Sequence, residues 1–256
     1  MTGATPALTV EGVWRSFGGV MAVNGCSFTV ADNSITGLVG PNGAGKSTMI
    51  NLISGLLKPE RGSVHLRDRD ITGLPMEKIS NAGLIRTFQV AREWPRLTVL
   101  ENVLAAAPAG NREGVWRAVL ARCALRREDI ALEERARGIL DRLRLTPVAD
   151  KPASALSGGQ KRLLEFARIS MVAPQMVLLD EPLAGVNPVL GEELGVAIQT
   201  MRSSGSTVLL IEHNLGFIER LCDSVVVMAT GAVIGRGSMS DLRRNPEVLS
   251  AYLGQA

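Results

Sequence analysis

Between residues 8 and 30, apolar and polar side chains alternate in two short runs, LTVEGVW and MAVNGCSFTV, on either side of Ser16-Phe17-Gly18-Gly19. A period of two places every second side chain on one face of a strand, so two such runs around a glycine-bearing turn predict an antiparallel pair. A further strand is predicted from Ile35 to Val39. It leads through a glycine-rich loop into a helix running from Lys46 to about Leu57, which Lys58-Pro59-Glu60-Arg61-Gly62 closes with proline and glycine. More strand and turn follow in SVHLRDRDITGLP.

From about Ala91 to Leu156 the pattern changes to Arg- and Glu-rich helical spacing, broken at Pro108-Ala109-Gly110 and Thr146-Pro147. This predicts a helical subdomain inserted into an α/β core. Helices over 161–172 and 188–203 then alternate with apolar strands, Met176 to Leu179 and Thr207 to Ile211, before strands around Val225 to Met228 and Ala232 to Ile234. Such alternation implies a mostly parallel sheet covered on both faces. Neither an internal repeat nor a low-complexity segment interrupts it.

The 256 residues, 46% hydrophobic and 21% charged, make an ordinary globular composition, long enough for one large domain or two small ones at roughly 150 residues each. The richest apolar stretches, Pro174 to Leu179 and Thr207 to Ile211, fall far short of the ~20 residues that span a bilayer. No basic start followed by an apolar core opens the chain, so a secretory signal is not expected and a cytoplasmic location is. The three cysteines, Cys26, Cys123 and Cys222, are widely separated and form no CxxC pair, and His65 and His213 are the two histidines. Neither a disulfide framework nor a zinc site is indicated. A net charge of +3 reads as solubility rather than as a nucleic-acid or anionic-membrane footprint.

Gly40-Pro41-Asn42-Gly43-Ala44-Gly45-Lys46-Ser47-Thr48 fits G-x-x-x-x-G-K-[ST], between a predicted strand and a predicted helix as that motif requires. Glycines let backbone N–H groups converge on phosphate oxygens, and the helix N-terminus adds positive potential. Lys46 would reach the β- and γ-phosphates, and the Ser47 hydroxyl would ligate Mg²⁺. Val177-Leu178-Leu179-Asp180-Glu181 is an apolar strand ending in two carboxylates, and strand C-terminal ends are where parallel sheets bind ligands. Strand alternation would aim the two acids apart, Asp180 toward Mg²⁺ and Glu181 toward the attacking water.

These two motifs leave kinases, GTPases and ATPases all open. Leu156-Ser157-Gly158-Gly159-Gln160, about twenty residues before the acidic strand, matches the LSGGQ signature, and on it the whole chain resembles the ABC ATPases. As an N-cap, Ser157 would open the following helix toward an anion, with Gly158, Gly159 and Gln160 beside it. The resemblance implies a P-loop NTPase (RecA-like) core with an antiparallel β-subdomain and an inserted α-helical subdomain. Residues 8–253 would then form a single ATPase domain, with 1–90 and 161–256 as the nucleotide-binding core and 91–160 as the helical signature subdomain. It further implies ATP and Mg²⁺ as cofactors and a head-to-tail dimer in which one subunit's signature covers the γ-phosphate on the other's phosphate loop. Phe17 falls where the family stacks an aromatic on adenine, Val23 where a side chain packs beside the nucleotide, and Gln89 where a glutamine touches Mg²⁺. His213 falls where a histidine contacts the γ-phosphate. Asn187 stands where many relatives have an aspartate that crosses to the partner, or else caps the helix from Pro188.

DITGLP, GLIRTFQ, LTVLENVL, AGVNP, IEHNL and the ending AYLG resemble the ATPases of branched-chain amino acid importers. Gly158 and the Arg-Ile-Ser-Met that follows the signature depart from the commoner pattern of that subfamily. The expected partners are a second ATPase subunit, paralogue or self, two transmembrane permease subunits and, indirectly, an extracytoplasmic substrate-binding protein, with the chain on the cytoplasmic face of the membrane. Nucleic acid is not expected. The alternatives are the ATPase of a lipid or lipopolysaccharide exporter and a non-transport ABC ATPase. Contact with a membrane subunit is expected through Ala91 to Leu97, where Trp94 either anchors an interface or tucks into the helical subdomain.

Overall fold

In a computed structural model that describes residues 5–87, 93–108 and 122–253, the side chains of 122–128 and 253 excepted, the first two runs form the expected antiparallel pair. Strand β1 (Leu8–Phe17) pairs with β2 (Val20–Val30) from Leu8↔Val30 to Phe17↔Val20. Strands β4 (Arg61–Leu66) and β5 (Arg69–Asp70) complete a four-stranded antiparallel sheet in the order β2-β1-β4-β5. Its inward residues, among them Leu8, Val10, Val13, Val23 and Phe28, share one core cluster with the second sheet.

That second sheet has six strands in the order β10-β9-β3-β8-β7-β6. Its centre is β3 (Ile35–Val39), β8 (Thr207–Ile211) and β7 (Met176–Asp180), every residue of which is buried. Strand β6 (Leu84–Arg86) pairs parallel with β7, and β9 (Ser224–Ala229) pairs parallel with β3. The one antiparallel member is β10 (Ala232–Gly237), which folds back on β9 through Thr230 and Gly231. Three residues are too few for a periodicity to register, which is why β6 was not anticipated.

The helix after the phosphate loop, α1 (Lys46–Ile53), stops four residues short of the expected Leu57. The N–H of Ser54 caps it on Ile50, and Gly55 at φ 76° turns the chain away, a left-handed exit that glycine takes without steric cost. Helix α2 (Met76–Asn81) precedes β6.

The chain divides into two compact units. One holds both sheets, comprising residues 5–87, Pro174–Gly185 and Ile198 onward; the other holds 93–173 with Val186–Ala197. Within the second, α3 (Val99–Ala105), α4 (Arg122–Arg142) and α5 (Gly158–Val172) pack together around Val103, Leu140, Leu164 and Phe166. Helix α5 packs on α3 and α4, and the whole of it belongs to this unit, which reaches Ala173 rather than residue 160. Helix α6 (Pro188–Ser203) gives its residues up to Ala197 to the same unit. Asn102, wholly buried, clamps the chain ahead of α3: its Nδ2 donates to the Trp94 and Thr98 carbonyls at 3.0 and 2.9 Å, and its Oδ1 accepts the Trp94 N–H at 2.9 Å. No helix among the described residues is long and apolar enough to cross a membrane.

Two of the cysteines sit in the sheet-bearing unit. Burial pushes the Cys26 thiol up to about 11 and the Cys222 thiol up to about 12, and Cys26 Sγ donates to the Gly231 carbonyl at 3.0 Å. At pH 8 no more than about one Cys26 in a thousand is a thiolate, the reactive form. Iodoacetamide at that pH should therefore leave Cys26 and Cys222 unmodified in the native protein and label both after denaturation, as read by peptide mass spectrometry.

Candidate nucleotide and catalytic site

Leu38 of β3, Ile211 of β8 and Asp180 of β7 lie in one row across the parallel sheet. The segments that follow them therefore leave from one edge, and they carry the phosphate loop, His213 and Glu181.

The loop from Gly40 to Thr48 is shaped by close backbone approach. A Cβ on Gly40 would lie 2.0 Å from the Met228 carbonyl oxygen, and one on Gly45 would lie 2.3 Å from that of Ala22. Both residues have positive φ, 152° and 96°. Only glycine fits either place. Gly45 is also the N-cap of α1, with no side chain to occupy the first-turn N–H groups and no acidic residue in that turn. Between the two glycines Asn42 and Gly43 are exposed, and Ser47 is exposed beyond them. The ammonium of Lys46, on a residue only 6% exposed, donates to the Gly40 and Pro41 carbonyls at 2.8 and 2.9 Å. Burial pushes its pKa down from the usual lysine value, and the charge of Glu181 pulls it partly back. A cation held by neutral carbonyls beside a helix start with free N–H groups is a site that fits a polyphosphate.

No group of three or more His, Cys, Asp or Glu side chains capable of holding a metal occurs among the described residues. A Mg²⁺ shared with bound phosphates, the usual arrangement for this reluctantly dehydrated cation, needs only one or two ligands from the protein. Ser47 is exposed next to Lys46 and suits such a role. Gln89, the third expected ligand, lies outside the described residues.

Asp180 is not free. Its Oδ2 receives Arg86 Nη2 at 2.7 Å, and Arg86 Nη1 donates to Asn51 Oδ1 at 2.7 Å and Ser54 Oγ at 3.1 Å. Both members of the pair are about nine-tenths buried. Sequence reasoning passed over Arg86; the signal it left is a lone guanidinium ending the otherwise apolar Leu84-Ile85. Because Arg86 stands opposite Leu178 in the β6–β7 register, it is one side-chain alternation away from Asp180.

Glu181 and Asp180 do point apart, but strand alternation is not the cause. The strand ends at Asp180, and Glu181 takes a left-handed φ of 47°, which costs a non-glycine residue roughly 1–2 kcal/mol. Its N–H donates to the Ile211 carbonyl at 3.0 Å, and its own carbonyl accepts the Ala184 N–H at 3.1 Å. The turn brings Glu181 Oε1 to 3.0 Å from His213 Nε2. Against a carboxylate that nitrogen must be the donor.

Phe17, at the end of β1, is 45% exposed, with the Arg15 guanidinium 4.9 Å from its ring centre, so it is no core phenylalanine. Val23 is the opposite: it is fully buried in the core cluster and its side chain offers no surface to a nucleotide.

In the helical unit, Ser157 caps α5 by accepting the Gln160 N–H at 3.3 Å, while Gln160 Oε1 accepts the Ser157 N–H at 3.0 Å. Gln160 thus completes a capping box, a local task the sequence reading did not give it. A Cβ on Gly159 would meet Leu190 Cδ2 at 2.8 Å, whereas one on Gly158 would meet nothing within 4 Å. The chain's own packing therefore makes no demand for glycine at 158. Asn187 caps α6, its Oδ1 accepting the Leu190 N–H at 2.9 Å. Trp94 is 42% exposed, with the Arg168 guanidinium 4.1 Å from its ring centre and Lys161 bridging the adjacent Glu93 at 2.6 Å.

A glycine-walled phosphate cradle, a buried lysine, an acidic strand end and a capped Ser-Gly-Gly-Gln helix start are the parts of an ATP-binding cassette, and a profile of the family described as ABC transporter matches residues 23–184. The chain belongs to that family. It is 38% identical over 252 residues to the high-affinity branched-chain amino acid transport ATP-binding protein LivG of Salmonella typhimurium, covering 98% of this chain and 99% of that one. The corresponding BraF protein of Pseudomonas aeruginosa is also 38% identical over 252 residues, with the same coverage. Among solved structures, the ADP conformation of an ATP-binding cassette of an ABC transporter superposes with a TM-score of 0.80 at 32% identity, covering 98% of this chain and 100% of that one. A nucleotide-free cassette gives 0.78 at 33% identity, with 96% and 98% covered.

Removing Arg86 strands a buried charge. Arg86→Met is expected to lower stability by about 3–5 kcal/mol, since Asp180 is left desolvated without its partner. Adding Asp180→Asn should recover a large part of that loss in urea titrations.

Proposed function

We propose that this chain is the ATP-hydrolysing subunit of an ABC importer, powering uptake of branched-chain amino acids or related small polar solutes through separate membrane subunits. The observation that carries the hydrolytic part is the contact of Glu181 with His213 on the sheet edge that also bears the phosphate cradle. The near full-length similarity to LivG and BraF supports the importer part. The same relationship supports a peripheral place on the cytoplasmic face of the membrane.

Bound MgATP would supply the phosphoanhydride bond and the ion that screens its charge. Lys46 would exchange its two carbonyl partners for phosphate oxygens, and the first-turn N–H groups of α1 would bind the same phosphates. Ser47 would ligate Mg²⁺, with Gln89 and Asp180 beside it, Asp180 held in line by Arg86. His213 Nε2–H donates to one carboxylate oxygen of Glu181, which leaves the other free to accept a hydrogen bond from the attacking water and aim it in line. Phe17, held out of the core, presents a ring on which adenine would stack.

The signature faces a different task. Ser157 and Gly158 open α5 toward an anion, and with Gly158 free of internal packing a phosphate of a second subunit's nucleotide can approach its backbone. The functional unit is therefore a head-to-tail dimer, with a paralogue or a second copy, that completes two ATP sites at its interface. Ala91 to Leu97, of which 91 and 92 lie outside the described residues and the remainder presents Trp94 between Arg168 and solvent, is the surface for a membrane subunit.

Two experiments test this reading. Glu181→Gln should bind ATP but lose nearly all turnover, about a thousandfold or more for loss of a water-orienting group, and accumulate as a dimer on size-exclusion chromatography; normal turnover removes Glu181 from its role. A Ser157→Arg chain and a Lys46→Ala chain, each inactive alone, should regain about a quarter of wild-type turnover when mixed, because half the dimers then hold one intact composite site. No recovery means that the site is not shared or the native dimer is not between identical chains.

A further inference from the structure

Glu212 has no part in the mechanism above, yet it is 5% exposed and lies directly before His213 at the end of β8. Its two carboxylate oxygens serve two different segments. Oε1 accepts the N–H of Leu183 at 2.7 Å, and Oε2 accepts the N–H of His213 at 3.1 Å. Leu183 belongs to the turn that carries Glu181, closed by the Ala184 N–H on the Glu181 carbonyl at 3.1 Å. One buried side chain thus grips the backbone on both sides of the Glu181–His213 contact.

The chemistry makes this an expensive anchor. Burial pushes the Glu212 carboxyl up from the usual carboxylate range, and the charge of Glu181 adds to the push; the N–H groups of Leu183, His213 and Asn214 work against it. A buried acid is a poor way to gain stability, whereas two divergent acceptors on one rigid stem are a good way to hold two loops at a set separation. Glu181 needs such holding, since a left-handed non-glycine residue persists only where its surroundings leave it no alternative. The other two restraints on that turn are backbone to backbone; Glu212 supplies the side-chain one and joins it to His213.

We propose that Glu212 is a positioning residue of the hydrolytic site, tying the Glu181 turn to the backbone of His213 and so setting the contact through which Glu181 is oriented toward water. The proposal rests on the ATPase reading. Glu212→Gln keeps the shape but replaces one acceptor with an amide NH₂ that faces an N–H. Glu212→Asp keeps both acceptors on a stem too short to reach both loops. In the full-length chain, assayed alone and in its assembled transporter, either variant should lower kcat about tenfold or more. KM for ATP and the dissociation constant of trinitrophenyl-ATP should stay within about twofold, since the phosphate cradle is untouched. The decisive comparison is with His213→Ala. If Glu212 acts through that contact, Glu212→Gln added to His213→Ala costs nothing further, because groups acting as a unit are not additive. An unchanged kcat, a loss that multiplies with that of His213→Ala, or a matching loss of ATP affinity overturns the proposal. So does failure of both variants to fold, which would make Glu212 a folding residue. Absence of turnover in the wild-type transporter overturns the ATPase reading and this inference with it, whereas a wild-type rate that Glu212→Gln leaves intact overturns the inference alone.

Discussion

The parallel register of β3, β8 and β7 is the constraint on which the rest depends. Leu38, Ile211 and Asp180 stand level across three strands, and each strand is followed within two residues by a member of the candidate site: Gly40, His213 and Glu181. A slip of one strand by a single residue would turn its buried side chains to the other face. It would also move one member of the site about 3.3 Å, beyond hydrogen-bond reach of its neighbours. Complete burial of all three strands is what makes such a slip costly, so the hydrophobic core and the catalytic geometry are one constraint.

At the rim of that sheet each charged group of the candidate site has a partner within the chain, although Arg86 Nε is left buried without one. Lys46 rests on two loop carbonyls, Asp180 on Arg86, Glu181 on His213, and Glu212 on two backbone N–H groups. An unpaired charge there would cost several kcal/mol. The matching differs in kind, however. The Arg86–Asp180 pair is charge against charge and nearly buried. Lys46 is held only by carbonyl dipoles, and an ammonium is attracted more strongly by an anion than by a neutral carbonyl.

The signature shows one set of atoms serving two ends. Ser157 and Gln160 satisfy each other's N–H groups in a capping box, which stabilises the helix whatever lies beyond it. Gly158 has no such local reason, since nothing stands within 4 Å of where its Cβ would be. Folding accounts for Ser157 and Gln160 through the capping box and for Gly159 through Leu190, while the chain's own packing gives no reason for Gly158.

Local chemistry settled much of this protein from sequence alone. The strands Ile35 to Val39 and Thr207 to Ile211, the helix over 188–203 and the phosphate loop were legible because alternation, apolar runs and glycine–lysine spacing are properties of neighbouring residues. What only the tertiary structure decided involves residues distant in the chain. Arg86 meets Asp180 across a strand pair that three residues are too short to announce. Val23 looks like any strand valine until the core closes over it. Glu181 departs from the strand through a left-handed turn whose restraints come from Ile211 and Glu212. Which side chain sits at which depth, and which backbone is forced into strain, follows from packing between segments, and a one-dimensional pattern does not carry that information.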